Sequence, residues 1–124
     1  MNNQYNAVRR TSGEVVVATP RNQVILNPLW IEEWRNELGR ILKHTPNLLL
    51  LDMNDVTFFG ARALRPIASL QIEADTTSKT VVQLGVSDNI REIFRWSEEG
   101  RMFNLSSDLE TAIQEYPNKN RRVS

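Results

Sequence analysis

Four consecutive leucines, Leu48 to Leu51, follow Thr45-Pro46-Asn47 and end at Asp52. Proline drives the residue before it out of the helical region, and an isolated four-residue helix does not survive in water, so the run predicts a strand. A strand with no polar alternation must be covered on both faces, which is the situation of a central strand in a parallel sheet. Parallel neighbours need crossover connections, most often helices, so this one stretch already demands an α/β fold.

The flanking chain supplies those elements. Asn6 to Arg10 and Glu14 to Thr19, around Thr11-Ser12-Gly13, predict a hairpin, and Gln23 to Leu26 a brief extended segment. Asn27 caps and Pro28 opens a helix running to about Lys43, because Asn accepts from a free first-turn N–H and proline gives up only a donor that lacked a partner. Ile31, Trp34, Leu38, Ile41 and Leu42 form its inward stripe, with Trp30 beside it. Glu32, Glu33, Arg35, Asn36, Glu37 and Arg40 are read as a solvated face. His44, near the helix C-terminus, is explained by the macrodipole and the exposed carbonyls.

After Asp52 comes a turn at Asn54-Asp55 and a second apolar stretch, Val56 to Phe59, that meets Gly60. Pro66 is tolerated only in a first helical turn, so either a second helix begins at about Ala63 or later or the backbone bends there. The helix ends near Ala74, with Leu64, Ile67, Ala68, Leu70 and Ile72 inward. Val81 to Val86 predicts another buried parallel strand. Ser87-Asp88 then caps a helix through about Ser97, with Ile90, Ile93, Phe94 and Ser97 on one face. Met102 to Leu105 predicts a short last strand. Ser107 to Glu110 has the pattern of a capping box opening a final helix, with Leu109, Ala112, Ile113 and Tyr116 inward. A single domain over residues 1–116 is expected, with 117–124 as a flexible basic tail.

Composition removes several functions. Fifteen basic residues balance fifteen acidic ones, so no general electrostatic role on nucleic acid or anionic membrane is expected. Without cysteine there is no disulfide, thiolate metal site or cysteine nucleophile. One histidine argues against a multi-histidine metal site and against most Ser-His chemistry within this chain. The start, MNNQYNAVRR, has no apolar signal core, and no apolar run approaches the roughly 18 residues a membrane span needs, so the expected location is the cytoplasm.

The element order resembles the STAS domain, the fold of bacterial anti-sigma factor antagonists, over about Ala7 to Tyr116. LLLLDMNDVTFFGARAL, residues 48–64, resembles that family's aliphatic run, Asp, turn, Val-Thr-Phe, apolar residue and Asp-Ser-x-Gly-Leu. VVQLGVSDNIREIF and MFNLSSDLETAI resemble its later strand and helices. The resemblance implies a mixed, mostly parallel β-sheet packed with about four α-helices. It also implies a serine at the start of the second helix, phosphorylated by an anti-sigma kinase to break a complex. Here Gly60 stands in place of the Asp, Ala61 of the Ser, Arg62 of the variable residue and Ala63 of the Gly; Leu64 alone is kept. Glu98-Glu99 also departs from the family's Gly and apolar residue, which predicts a more exposed connection.

A methyl group accepts no phosphoryl group, and no residue from Phe59 to Arg65 carries a hydroxyl, so the switch is expected to be absent. The expected function is a non-enzymatic binding module. Its partner-binding surface comprises Phe59, Gly60, Ala61, Arg62 and Arg65, with Ser87 and Asn89 on a nearby loop. By resemblance the partner is an anti-sigma factor or related regulatory kinase. No cofactor is expected, and self-association through Trp30 or Trp96 stays open. Thr57, Ser87, Ser97 and Ser106 are the other hydroxyls considered for modification. Two alternatives remain. One is an anion-, nucleotide- or lipid-binding scaffold using Arg62, Arg65 and helix N-termini, without a Gly-rich loop to support it. The other is an enzyme using Asp52, Asp55 and His44, whose spacing defines no catalytic set.

Overall fold

The computed structural model describes residues 7–12, 15–45 and 47–116, with side chains from Val15 onward. Five strands form one sheet, in the order β1 (Ala7–Ser12), β2 (Val15–Pro20), β4 (Leu48–Asp52), β6 (Thr80–Leu84) and β7 (Asn104–Ser106). β1 and β2 are antiparallel, with Ala7 opposite Pro20 and Ser12 opposite Val15. The leucine strand β4 lies in the middle of the sheet. It pairs in parallel with β2 on one side and with β6 on the other. β7 closes the far edge, parallel to β6.

Both faces of β4 are covered. Leu49 and Leu51 join Val16, Ala18 and Val81 in the larger core beneath α1 (Pro28–His44), α2 (Leu64–Thr76) and α3 (Asp88–Arg95). Leu48 and Leu50 join Val15, Val17, Val82 and Leu84 in a smaller core against α5 (Leu109–Glu115), through Ala112 and the partly buried Leu109 and Tyr116. Each fully buried leucine removes about 2 kcal/mol worth of apolar surface from water, which makes this strand the energetic centre of the fold.

Helix α1 forms as its caps dictate: Asn27 Oδ1 accepts from the N–H groups of Leu29 (2.9 Å) and Trp30 (3.1 Å). The inward stripe is fully packed, and Trp30 stacks on buried Trp34 with ring centroids 5.2 Å apart. The supposed solvated face is less uniform. Glu37 is buried, and Arg35 crosses to α2, donating to Glu73 Oε1 at 2.8 Å and to Ser69 Oγ at 3.0 Å. At the helix end, Lys79 Nζ donates to the carbonyls of Leu42 (2.7 Å) and Lys43 (3.2 Å), a C-terminal cap supplied from 36 to 37 residues away.

Several boundaries differ from the sequence expectation. β6 stops at Leu84, because Gly85 adopts φ +66° and turns the chain out of the sheet. The third helix ends at Arg95; Ser97 does not continue its inner face but caps a separate one-turn helix, α4 (Glu98–Arg101), accepting from Gly100 N at 2.8 Å. Asp108, not Ser107, caps α5, its Oδ1 accepting from Thr111 N at 2.8 Å. The α2 stripe runs through Leu64, Ile67, Ala68, Gln71 and Ala74, which turns Ile72 outward to 51% exposure. Ile113 of α5 is likewise exposed. Thr11 and Ser12, expected between the first two strands, belong to β1, while Gly13, Glu14 and the tail at 117–124 lie outside the described residues.

Candidate functional site

The loop after β4 is built on its closing aspartate. Asp52 Oδ1 accepts from the backbone N–H of Asn54 (3.1 Å) and from its Nδ2 (2.7 Å), folding the chain back on itself. The Met53 N–H donates to the Leu84 carbonyl at 2.9 Å, tying this loop to the end of β6. Asp52 therefore acts as a structural turn residue. Beyond the turn, β5 (Phe58–Phe59) pairs in parallel with β3 (Val24–Ile25), a second small sheet that the sequence reading did not pair. The Thr57 N–H donates to the Gln23 carbonyl at 2.8 Å, and its hydroxyl lies 3.4 Å from the same oxygen, so Thr57 serves this junction.

Gly60 follows directly, its N–H donating to the Ile25 carbonyl at 2.7 Å. A Cβ on Gly60 would lie 3.2 Å from both that carbonyl oxygen and Leu26 Cδ1, a tight contact to which these neighbours would have to give by a few tenths of an ångström. Its backbone, φ −74° and ψ 152°, is ordinary extended conformation. From Gly60 the chain enters a 3-10 turn (Ala61–Ala63) that leads into α2. Pro66 falls in the first turn of α2, where a missing N–H costs nothing.

The named residues separate into two groups. Ala61, Arg62 and Arg65 are exposed and border, with Leu64 and Glu99, a recess of about 420 Å³. Arg65 approaches Glu99 at only 3.9 Å and its side chain is 88% exposed, a contact worth little in water. Arg62 also borders a second recess, of about 390 Å³, between α1 and the start of α2, with Pro28, Ile31, Glu32 and Pro66. Phe59 is a correction: it is 0% exposed, packs edge-on against Phe94 with centroids 5.0 Å apart, and offers no side chain to a partner. Gly60 is buried too.

Ser87 and Asn89 lie where β6 gives way to α3, both exposed. The Ser87 hydroxyl accepts from Ile90 N at 3.3 Å and so functions as a helix cap. Ser97 is occupied in the same way, and Ser106 is buried with no hydrogen-bond partner for its Oγ among the described residues, which excludes it as an accessible acceptor. What the sequence reading missed is apolar. Val24, Leu26, Leu29 and Phe58 are 45% to 72% exposed; Val24 pairs with Phe58, and Leu26 and Phe58 both border Gly60. The signal available was Phe58 itself, the outward partner of inward Phe59 in a two-residue strand.

Comparison with solved structures places this geometry. A Thermotoga maritima protein described as a putative anti-sigma factor antagonist matches over 88% of this chain and 92% of its own, with TM-score 0.76 and 14% identity. The unphosphorylated anti-sigma factor antagonist SpoIIAA matches over 94% and 99%, with TM-score 0.62 and 12% identity. The chain has the STAS fold. The same STAS fold relates it to the murine anion transporter Slc26a9 (TM-score 0.65, 14% identity), of which it spans 17%. No protein-family model and no curated protein sequence matches the chain. Among the described residues no group of three or more His, Asp or Glu side chains is arranged to hold a metal ion, and no helix is long and apolar enough to cross a membrane.

Proposed function

We propose that this chain is a non-enzymatic, cytoplasmic STAS-type interaction module that binds an anti-sigma factor or related regulatory kinase, and that phosphorylation does not switch it at the start of α2. One observation carries the reading. The exposed helix entry presents a methyl group, Ala61, between an apolar flank (Leu26, Phe58) and two cations (Arg62, Arg65). Small residues let a partner approach closely, apolar side chains supply its anchor, and arginines pair with carboxylates in forked geometry. The structural neighbours described as anti-sigma factor antagonists support the choice of partner class.

Calorimetric titration against anti-sigma factors encoded beside the gene tests this. At least one is expected to bind, and Phe58→Asp combined with Arg62→Glu is expected to weaken it by tenfold or more, on the order of a hot-spot loss. Incubation with the kinase and labelled ATP is expected to leave the protein unlabelled. Failure of every such regulator to bind, or stoichiometric labelling of the intact chain, would overturn the proposal.

A further inference from the structure

Gly85 has φ +66°, a conformation that L side chains rarely adopt, and a Cβ built on it would overlap the carboxamide of Asn54. The Asn54 carboxamide donates to Asp52 Oδ1 at 2.7 Å, the Asn54 backbone N–H donates to the same oxygen, and the loop is bonded to Leu84 through Met53. The carboxamide therefore occupies the space that a Cβ at position 85 would take. On the Asn54 side, the loop leads within seven residues to Gly60 and Ala61; on the Gly85 side, two residues lead to Ser87 and the start of α3.

We propose that Asn54 and Gly85 are paired positioning residues that hold the 52–60 loop and the start of α3 in one arrangement, so that Ala61-Arg62 and Ser87-Asn89 face a partner as a single surface. The use of this pair rests on the partner-binding reading above; its existence does not, and the test needs no partner.

The test measures amide hydrogen exchange and thermal unfolding in Asn54→Ala, Gly85→Ala and the double variant of the full chain. Two readouts separate positioning from general destabilisation. First, Asn54→Ala is expected to speed exchange about tenfold or more at Thr57 and Gly60 and also at Ile90 and Arg91, while amides of Leu49 to Leu51 keep their protection relative to global unfolding. Ser87→Ala serves as the control, accelerating only the first turn of α3. Second, the two substitutions are expected to be strongly non-additive, since removing the carboxamide makes room for the Cβ at position 85 and leaves only the backbone strain. Acceleration confined to residues 53–56, or uniform across the molecule, would overturn the proposal, as would additive losses. Loss of partner binding with the coupling intact would instead count against the functional reading alone.

Discussion

At position 61 an exposed methyl group stands at the entry to α2, and its neighbours decide what substitutions there do. Ala61 points into open surface, so Ala61→Ser is expected to shift stability by no more than about 0.5 kcal/mol, while giving a kinase a hydroxyl. Gly60 behaves differently, because a Cβ would crowd the Ile25 carbonyl at 3.2 Å. Gly60→Asp is expected to cost about 1–3 kcal/mol, read as a lowered midpoint in urea denaturation. Introducing an Asp-Ser pair at positions 60 and 61 thus divides into a tolerated half and a resisted half. Ser106 gives the opposite sign. Its Oγ is buried without a partner, so Ser106→Ala is expected to be neutral or stabilising by up to about 1 kcal/mol in the same measurement.

Among the elements, α5 carries a built-in pH dependence at both ends. The Thr111 N–H bonded to the Asp108 carboxylate holds its pKa below the ordinary value of 3.8. A depressed carboxylate contributes stability above its unfolded pKa and loses it as pH falls through the folded one, so the cap weakens below about pH 4. At the other end, burial of the Tyr116 hydroxyl pushes its pKa above the ordinary 10.0, with the Glu115 charge adding to the effect. A raised phenol contributes stability below its unfolded pKa and loses it as pH rises through the folded one. Tyrosine fluorescence and far-ultraviolet dichroism are therefore expected to show α5 loosening at both extremes before the parallel sheet melts. Asp108→Asn, which keeps an acceptor without a titrating group, is expected to abolish the acid limb only.

For the whole molecule, the decisive quantity is the burial of β4 on two cores at once. Leu51→Ala removes a side chain that is 0% exposed and is expected to cost about 2–5 kcal/mol, a large share of the roughly 5–15 kcal/mol that holds a domain together. Calorimetry is expected to show one transition at a sharply lowered temperature. The same change leaves the exposed site residues untouched, so any loss of partner binding should follow the unfolded fraction. The recess at the start of α2 forms only at this scale, because Ala61, Arg62, Leu64 and Arg65 meet Glu99 of α4 there from a separate part of the chain.

The sequence by itself determined the elements whose signal is local. Leu48 to Leu51 announced a doubly covered strand, Asn27-Pro28 a helix start, and Gly60-Ala61-Arg62 the missing hydroxyl, because hydrophobic run length, cap chemistry and the presence of an oxygen atom can each be read from a few adjacent residues. Tertiary structure alone decided which of these side chains reached the surface. It buried Phe59 against Phe94 while leaving Phe58 outward, paired two-residue strands 34 positions apart, and set Asn54 over Gly85. The physical reason is common to all three: each depends on which distant side chain or backbone group fills the adjacent space, and alternation along a short strand leaves open which of its two faces will meet the core.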